Sequence, residues 1–378
     1  MRFLHLADLH IGKVLHKHSL LPDQEFILRQ ILSIADEQQP DAVLIAGDVY
    51  QRNTPSPEAM TLFSRFLTAL AERRLPCYLI SGNHDSAERV AYLAGLAELG
   101  GIHIAGAEPA TIYDYPMQDS FGELTVHLLP YCTPALVRQK YPELSEQIRS
   151  YEDALRVVLE HHPVSPEGRH VLVCHQFLTG AVTCESEELA IGGLDNISAS
   201  LFDAYDYVAL GHLHGPQQVS RESVRYAGSP LKYSFSELHQ HKSVTIAELR
   251  EKGEVQITAI PLCPMHGMQE LTGTLADLLQ HDKAGDYVHV LLTDEEPPAD
   301  AARQLRTVFP NLLQLTVQNS KIRTDRSVDA GSAPDRADFL TLFSEFYAFQ
   351  NAGAVPNERQ RQIVSELLEQ IDGEVHAG

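Results

Sequence analysis

The sequence predicts an α/β fold: a layered β-sandwich core with flanking helices, then a small α/β domain and a C-terminal pair of helices. Over the first 211 residues, short apolar runs ending in polar clusters alternate with helical patterns, as in strand–helix folds. From about residue 223 the chain changes to strands separated by short turns. The 378 residues, 44% of them hydrophobic, are enough for one large core domain with smaller additions.

Five apolar stretches are predicted as buried strands: RFLHLA (2–7), DAVLIA (41–46), CYLIS (77–81), HVLVC (170–174) and YVALG (207–211). Between them, helices are predicted over 22–39, where apolar residues recur at helical spacing, and over 58–73. Three further strands, SVRYAG, SVTIAEL and VQITAI, follow after residue 222. This order predicts a layered sheet core with helices on the outside.

Polar clusters follow each of the five strands: ADLH (7–10), GDVY (47–50), GNHD (82–85), CHQF (174–177) and GHLH (211–214). One cluster alone is weak evidence, because a Gly-Asn turn before a helix also explains Gly82 and Asn83. In open α/β sheets, however, ligands bind at the carboxyl ends of the strands. Five such clusters therefore predict one shared site.

The donor set of this site is rich in metal ligands: Asp8, His10, Asp48, Asn83, His175, His212 and His214. Two carboxylates, one amide and four imidazoles are too many for one tetrahedral ion and suit two ions that share a bridging carboxylate. Two such ions stabilise the attacking and leaving oxygens of a phosphoryl displacement. Nitrogen and oxygen ligands without thiolate favour Mn, Fe or Zn over Mg or Ca.

The motifs D-x-H, G-D, G-N-H-D, H and G-H-x-H, in this order, resemble those of the calcineurin-like metallophosphoesterase family. The segments YVALGHLHGPQQV and VRYAGSPLKYSFSE are similar to SbcD-type nuclease subunits, bacterial relatives of the Mre-type nucleases of DNA double-strand-break repair. The resemblance implies two metals, with Mn²⁺ expected: Asp8, His10, Asp48 and His214 hold the first, and Asp48 bridges to a second held by Asn83, His175 and His212.

The same resemblance implies catalytic roles beside the metals. His84 is expected to contact the scissile phosphate and protonate the leaving oxygen, with Asp85 orienting its ring. Some relatives have a histidine three residues after the bridging aspartate, where this chain has Gln51, so Gln51 receives no phosphate-positioning role. The segment AGSP (227–230) is either a tight turn or lies near the nucleic-acid surface.

The remaining histidines and cysteines carry no motif. Six histidines are expected to be solvated surface: His16, His18, His161, His162, His239 and His241. Cys174 could pair with His175, but its place at the end of a buried strand favours core packing. The five cysteines form no C-x-x-C pair, which argues against a disulfide framework or zinc ribbon. With no signal-peptide pattern and no apolar run of about 18 residues, a cytoplasmic protein is expected.

Four regions are predicted: a metallophosphoesterase nuclease domain (1–263), a capping domain that fits DNA to the site (264–320), a Ser/Asp/Gly/Pro-rich linker (321–336) and partner-binding helices (337–378). The capping region could instead be a plain structural appendage. The tail carries two apolar faces: Phe339, Leu342, Phe343, Phe346 and Tyr347, and then Ile363, Leu367, Leu368 and Ile371.

By resemblance, the tail docks onto the coiled coil of an SbcC-like ATPase, in a heterotetramer containing a homodimer of this chain. A net charge of −22 disfavours unaided DNA binding, and the partner could supply the basic surface. The expected function is a DNA nuclease of repair, recombination and replication: an exonuclease on duplex ends and an endonuclease on single strands and hairpins, with ATP hydrolysed by the partner. Two alternatives stay open: a small-molecule or nucleotide phosphodiesterase, or a non-catalytic assembly subunit.

Overall fold

The computed structural model describes residues 1–184, 187, 196–318, 343–344, 347 and 355–364. The chain divides into two compact units, Met1–Asn319 and Ser320–Gly378. In the described residues the strands are β1 (Arg2–Leu6), β2 (Val14–Leu15), β3 (His18–Ser19), β4 (Ala42–Ala46), β5 (Cys77–Ile80), β6 (Ile102–Ile104), β7 (Tyr113–Asp119), β8 (Gly122–Leu129), β9 (Arg169–His175), β10 (Tyr207–Gly211), β11 (Gln217–Val219), β12 (Arg221–Tyr226), β13 (Ser243–Leu249), β14 (Val255–Pro261), β15 (Met268–Gly273), β16 (Tyr287–Leu292) and β17 (Leu312–Val317).

The described α-helices are α1 (Leu21–Gln38), α2 (Pro57–Glu72), α3 (Ala87–Val90), α4 (Ala94–Ala97), α5 (Pro134–Lys140), α6 (Tyr151–Glu160), α7 (Leu275–Leu278) and α8 (Ala301–Leu305). Five of these eight helices begin at a side-chain cap. The Ser56 hydroxyl accepts a hydrogen bond from the backbone of Ala59 at the start of α2, and Ser150 and Asp153 form a capping box at the start of α6.

Two six-stranded sheets of similar design form the core of the first unit. The first has the order β14-β13-β1-β4-β5-β6, with β1, β4, β5 and β6 parallel and β13 and β14 antiparallel. The second has the order β11-β12-β10-β9-β8-β7, with β12, β10, β9 and β8 parallel and β11 and β7 antiparallel. The first sheet is therefore a parallel block with antiparallel strands at one edge, and the second is a parallel block with an antiparallel strand at each edge.

The two sheets pack face to face between outer layers of helices. An apolar layer that includes Phe3 and Leu44 from the first sheet and Val171 and Tyr207 from the second lies between them. Helices α1 and α2 cover the outer face of the first sheet, and α5 and α6 cover that of the second. Because both faces of each sheet are buried, the central strands are mostly apolar, with a few buried polar side chains such as His5 and His170. The predicted layered α/β fold is confirmed.

A separate parallel sheet, β15-β16-β17, follows within the first unit. It packs against α7 and α8 through a small core of its own that includes Leu278, Val290 and Phe309. The strand–helix–strand–helix–strand order predicted for 264–320 is present. The sheet is tied to the core at the buried Asp23 carboxylate, which lies 2.8 Å from His266 Nδ1 and accepts a hydrogen bond of 2.7 Å from the Tyr287 hydroxyl. The boundaries of this domain and its role over DNA stay predictions.

In the second unit the described residues show helical backbone at 343–344, 347 and 358–364. The rings of Phe343 and Tyr347 lie 6.0 Å apart, and Gln360 donates to the Tyr347 hydroxyl at 3.1 Å. The remaining tail residues assigned to apolar faces (Phe339, Leu342, Phe346, Leu367, Leu368 and Ile371) lie outside the described residues. Across the described part of the chain, every helix is too short or too polar to span a membrane.

Candidate active site

The predicted site residues converge where the carboxyl ends of five strands meet. Strands β1, β4 and β5 are neighbours in the first sheet, and β9 and β10 are neighbours in the second. The residues that follow or end them are Asp8, His10, Asp48, Asn83, His84, Asp85, His175, His212 and His214. Hydrogen bonds across the gap join the two sheets at this edge, as between the His212 backbone N–H and Asp8 Oδ1 at 2.9 Å.

Four of these residues leave their strands in a left-handed backbone conformation. Their φ angles are 52° for Asp8, 43° for His10, 50° for Asp48 and 106° for His212. Positive φ is uncommon outside glycine and is retained mainly where a functional site requires it. The backbone is therefore bent to direct these side chains into the shared site.

Two glycines of the motifs are required by close approach between strand ends. A Cβ atom on Gly82 would lie 2.1 Å from Asp48 Oδ1, and one on Gly211 would lie 1.9 Å from the Ala46 carbonyl oxygen. No side chain fits at such distances. The glycines thus permit the contact between strands as well as the turns that follow them.

One half of the site contains Asp8, His10 and His214, whose donor atoms lie within 4.8 Å of one another. His10 Nε2 lies 3.0 Å from His214 Nε2 and 3.6 Å from Asp48 Oδ2. Asp8 Oδ2 is buried and has no hydrogen-bond partner among the described residues. These atoms are arranged as donors around a common point.

The other half contains Asn83, His175 and His212. Asn83 Oδ1 lies 2.9 Å from His175 Nε2 and 3.0 Å from His212 Nδ1. Asp48 Oδ2 lies 3.4 Å from His175 Nε2, and it also faces His10 in the first half. Asp48 therefore occupies the position between the two halves that a bridging ligand requires.

Two of the imidazoles are held by acceptors behind them. His175 Nδ1 lies 2.7 Å from the Ala46 carbonyl oxygen, and His214 Nδ1 lies 3.0 Å from Glu237 Oε1. In each ring the opposite nitrogen, Nε2, then faces the site. Such partners orient metal-binding histidines and raise their basicity.

Sequence reasoning did not find the network that supports His214. Glu237 Oε2 lies 2.5 Å from the Lys242 ammonium, which also donates 2.8 Å hydrogen bonds to Ser229 Oγ and to the His214 carbonyl oxygen. All four residues are buried. The segment AGSP, interpreted as a turn or a nucleic-acid surface, thus contributes Ser229 to a buried network. The residues VRYAGSPLKYSFSE were the available signal, since Ser229 and Glu237 both lie in them.

His84 and Asp85 are arranged differently from each other. The His84 side chain is 14% exposed, with Nε2 4.0 Å from Asp48 Oδ2, so its ring lines the site at the solvent side. The Asp85 carboxylate accepts backbone N–H groups from Val49, Tyr50 and Gly82 at 2.9–3.0 Å. These bonds occupy both oxygens. The three bonds hold the loops after β4 and β5 together, and the expected role of Asp85 in orienting the His84 ring stays a prediction.

Two further residues named from the sequence can now be placed. Cys174 is fully buried, and burial raises the pKa of its thiol far above the usual value, which agrees with core packing rather than reactivity. Gln51 Oε1 is buried without a partner among the described residues, and no role is assigned to it.

Burial dominates the electrostatics of the site. It raises the pKa of Asp8 well above its usual range, holds that of His10 well below it and lowers that of His212 to about 3. Burial opposes ionisation of Asp48 and His175 too, but their mutual attraction lowers the pKa of Asp48 and raises that of His175 to about 9. Two buried carboxyl groups beside imidazoles, of which His10 and His212 are held neutral, form a site suited to cations.

The donor set fits divalent metal ions. The unpartnered Asp8 oxygen, the opposed Nε2 atoms of His10 and His214, 3.0 Å apart, and Asp48 between two groups of imidazoles would each be stabilised by further positive charge. A divalent ion in each half would supply it. Nitrogen and oxygen donors without sulfur suit ions of the Mn, Fe and Zn group.

Comparison with known proteins agrees with this architecture. Residues 1–216 match the calcineurin-like phosphoesterase family, and residues 264–351 match the family described as type 5 capsule protein repressor C-terminal domain. The chain therefore belongs to the calcineurin-like phosphoesterases, metal-dependent enzymes, and within them to the family of SbcD nuclease subunits. The second assignment follows from a Staphylococcus epidermidis protein named as the D subunit of the nuclease SbcCD, which is 30% identical over 381 residues, 98% of this chain and 99% of the relative.

Two solved structures are similar at low sequence identity. The Thermus thermophilus protein TT1561 is 12% identical, with a TM-score of 0.38, over 68% of this chain and 98% of that protein. A dimetal phosphatase from Danio rerio is 12% identical, with a TM-score of 0.41, over 70% and 99%. The family assignment rests on the sequence matches alone.

Proposed function

We propose that this chain is the DNA nuclease subunit of an SbcCD-like complex. It acts as an exonuclease on double-stranded ends and an endonuclease on single strands and hairpins, in DNA repair, recombination and replication. The observation that carries this proposal is the match with a nuclease subunit over 98% of this chain. It is supported by the metal-ligand side chains that lie together at the candidate active site. A small-molecule phosphoesterase would have no need of the segment beyond residue 216, the end of the phosphoesterase match.

The metal assignment follows the two halves of the site. Asp8, His10, Asp48 and His214 hold one ion, and Asp48, Asn83, His175 and His212 hold the other, with Mn²⁺ as the proposed metal. When bound, two such ions stabilise the attacking and leaving oxygens of an in-line phosphodiester displacement. Asp48 Oδ2, 3.6 Å from His10 and 3.4 Å from His175, is the shared ligand.

The chain's own residues position the substrate and move a proton. His84, at the solvent side of the donor set, contacts the scissile phosphate and gives a proton to the departing oxygen. Its backbone N–H donates to Asp48 Oδ1 at 2.9 Å, so its loop is fixed relative to the shared ligand. Asp85 acts indirectly by holding the loops that carry Asp48 and His84.

An SbcC-like coiled-coil ATPase is the proposed partner, bound through 337–378, and it makes the cutting of duplex DNA ATP-dependent. The net charge of −22 supports this division, because DNA binding depends on cationic side chains. The domain at 264–320 helps to fit DNA to the site. The proposed location is the cytoplasm, at the nucleoid when acting on DNA; five free cysteines are consistent with a reducing compartment.

We also propose a homodimer within the heterotetramer, formed through the surface around α3 and α4. Tyr92, Leu93, Leu96 and Leu99 are 55–84% exposed there. A groove lined by Met60 and other apolar residues adjoins them. Apolar side chains clustered on a surface in this way mark an interface. Sedimentation should show a dimer that Leu96→Glu converts to a monomer, while Val182→Glu, at another exposed apolar site, leaves it intact.

The experiment that tests the nuclease proposal uses labelled hairpin DNA in Mn²⁺, with and without the ATPase partner. The wild-type chain should cut the hairpin, and duplex ends should be degraded only with partner and ATP. Asp48→Asn should abolish both activities and release both ions, whereas His10→Ala should damage one half of the site. Asp203→Asn, at an aspartate 75% exposed, is the matched control.

Three results would contradict parts of this proposal. Hydrolysis of a generic phosphodiester without any cutting of DNA, even with the partner, would favour the small-substrate alternative. Full assembly with no hydrolysis at all would indicate a non-catalytic subunit. Two ions retained in Asp48→Asn would show that Asp48 does not bridge.

A further inference from the structure

A second group of imidazole and carboxylate side chains lies on the second sheet, away from the strand ends that form the candidate active site. Asp114 in β7, His127 in β8 and His162 after α6 place one donor atom each within 4.8 Å of the others. Asp114 Oδ1 lies 2.7 Å from His127 Nδ1 and 2.9 Å from His162 Nε2. We name these three residues the edge cluster.

Two more groups continue the edge cluster into the sheet. His127 Nε2 lies 3.0 Å from His170 Nδ1, and His170 Nε2 lies 2.9 Å from the Ser165 carbonyl oxygen. The two rings therefore form a chain with an acceptor at each end, the Ser165 carbonyl and the Asp114 carboxylate. Neither acceptor can supply a proton.

A count of the protons in this hydrogen-bonded series leaves one of its three contacts without a hydrogen. His170 must carry a proton on Nε2 to bond Ser165, so a neutral His170 has a bare Nδ1. His127 must then carry its proton on Nε2, which leaves its Nδ1 bare and directed at the Asp114 carboxylate at 2.7 Å. Two neutral rings hold two ring protons, whereas the three contacts need three hydrogens on nitrogen. One proton, or one cation in its place, is therefore missing between His127 and Asp114.

An extra proton or a metal ion could fill that position. An extra proton would make one of the two buried rings a cation, and the side chain of His127 is only 3% exposed, so desolvation opposes the imidazolium form. A metal ion would instead sit at the outer end, where the side chains of Asp114 and His162 are 43% and 29% exposed. An ion can reach that end from solvent.

We propose that the edge cluster is a binding site for a divalent ion of the zinc class, with His127 Nδ1, His162 Nε2 and Asp114 Oδ1 as ligands. His170 is the positioning residue that orients the His127 ring, as second partners of metal-binding histidines do. Two imidazoles and one carboxylate are an established zinc set, with a fourth position left for water. Ligand atoms around tetrahedral zinc lie about 3.3 Å apart, which requires only a small outward movement of the two exposed side chains.

This site is separate from the candidate active site. His170 and His175 both lie in β9, five residues apart, which is about 16 Å along a strand. The ion would join β7, an edge strand of its sheet, to β8 and to the end of α6. The ion would fasten an edge strand and a helix terminus to the sheet, and its fourth position, left to water, distinguishes it from a closed structural zinc site. His162, which the sequence analysis left as solvated surface, is one of its ligands.

The test counts metal ions on the full-length chain, prepared without a polyhistidine tag and stripped with a chelator. After dialysis against Zn²⁺, the wild type should hold one more ion per chain than His162→Ala. The matched control is His161→Ala, at the adjacent exposed histidine whose Nδ1 contacts only the Val157 carbonyl oxygen, and it should bind as many ions as the wild type. Hydrolysis of a generic phosphodiester in Mn²⁺ should be the same in all three.

A second variant and a spectroscopic probe distinguish loss of the metal site from misfolding. Asp114→Asn keeps the side-chain volume, removes the charge and should also lose one ion. Loaded with Co²⁺, the wild type should show a visible absorption band of a four-coordinate site that both variants lack. Equal ion counts in the wild type, His162→Ala and Asp114→Asn would overturn the proposal and leave the edge cluster as a hydrogen-bonded network that shares an extra proton.

Discussion

His84 and Asp85 are sequence neighbours whose side chains serve different purposes. The His84 ring faces the donor set at the solvent side, whereas the Asp85 carboxylate is turned into the loops and binds three backbone N–H groups. Burial, and then the nearby Asp48 charge, raise the pKa of Asp85 to about 6. The His84 ring is accessible to a substrate, whereas the Asp85 carboxylate is hydrogen-bonded to the backbone.

His84→Gln should therefore separate chemistry from binding. If His84 donates a proton, the variant keeps both metals and its DNA affinity while turnover falls roughly 10²–10⁴-fold, the usual contribution of general acid catalysis. Metal analysis, DNA binding and single-turnover cutting check this. His103→Gln is the control, since His103 is similarly exposed at 19% and pairs with Glu98. Metal loss in His84→Gln would make His84 a ligand.

Glu237→Gln should weaken metal binding at the candidate active site without replacing a proposed ligand. The change replaces the carboxylate that holds His214 Nδ1, and loss of such a partner typically lowers metal affinity roughly 10–100-fold. Titration of the stripped chain with Mn²⁺ measures it. Glu222→Gln, at an exposed position of β12, should bind as the wild type does. An unchanged affinity in Glu237→Gln would reduce the network to ordinary packing.

At the scale of elements, the strands that the sequence predicted best are those buried on both faces. Strand β10 matches its predicted range. Strands β1, β4 and β5 differ from their predicted ranges by one residue at one end, and β9 differs by one residue at each end. Strands β7 and β8 were not predicted. Strand β7 is an edge strand with alternating exposure and a proline, Pro116, and such strands lack the apolar run that identifies a central strand.

The candidate site likewise contains residues that the sequence predicted and residues that it did not. Residues in motifs directly after apolar strands were all predicted, because strand topology alone brings them to one edge. Glu237 and Lys242 were not, since they meet His214 from 23 and 28 residues away and no local pattern marks that contact. The role of Asp85 depended on which donors its carboxylate meets, which only the folded loops determine.

Arg169 in β9 and Asp119 in β7 form a buried bidentate pair, with contacts of 2.5 and 3.1 Å. Asp119→Asn should lower the free energy of unfolding by about 1–3 kcal/mol, because the Arg169 guanidinium loses its counter-charge but keeps its hydrogen bonds to backbone carbonyl oxygens. The hydrogen bonds from Arg169 lower the pKa of Asp119. Its contribution is therefore present above the usual aspartate pKa and is lost as the pH falls.

Urea denaturation at several pH values measures this difference between wild type and variant, which should be largest at neutral pH and shrink in acid. Asp203→Asn is the control, because its pair with Arg221, at 3.7 Å, is exposed on the Asp203 side and should contribute about 0–1 kcal/mol. A difference for Asp119→Asn no larger than that control, or one that grows in acid, would rule out the buried pair as a stabilising contact.

At the scale of the whole molecule, an acidic chain that cuts DNA needs a source of positive charge. The net charge of −22 disfavours binding to phosphates and so supports the proposal that metal ions and a partner supply the attraction. The two compact units, Met1–Asn319 and Ser320–Gly378, agree with a catalytic part and a tail that serves assembly.

Deleting 337–378 should therefore leave the catalytic part folded, with its metals and its activity on a generic phosphodiester. Association with the ATPase and ATP-dependent cutting of duplex DNA should be lost. Co-purification and salt-dependent DNA binding measure this, and the complete complex should bind duplex with a steeper salt dependence than the isolated chain. Co-purification of the truncated chain with the ATPase at the wild-type yield would show that the tail does not form the interface.

The pairing of Asp8 with His212 across 204 residues has a consequence during synthesis. A ribosome adds about 5–20 residues per second, so about 10–40 s separate the emergence of these two residues. Late in that interval the nascent chain carries Asp8, Asp48 and Asn83 without His212 and His214. A growing polypeptide in that state holds at most five of the seven proposed metal ligands, and the proposed site is complete only after translation has passed the last strand end.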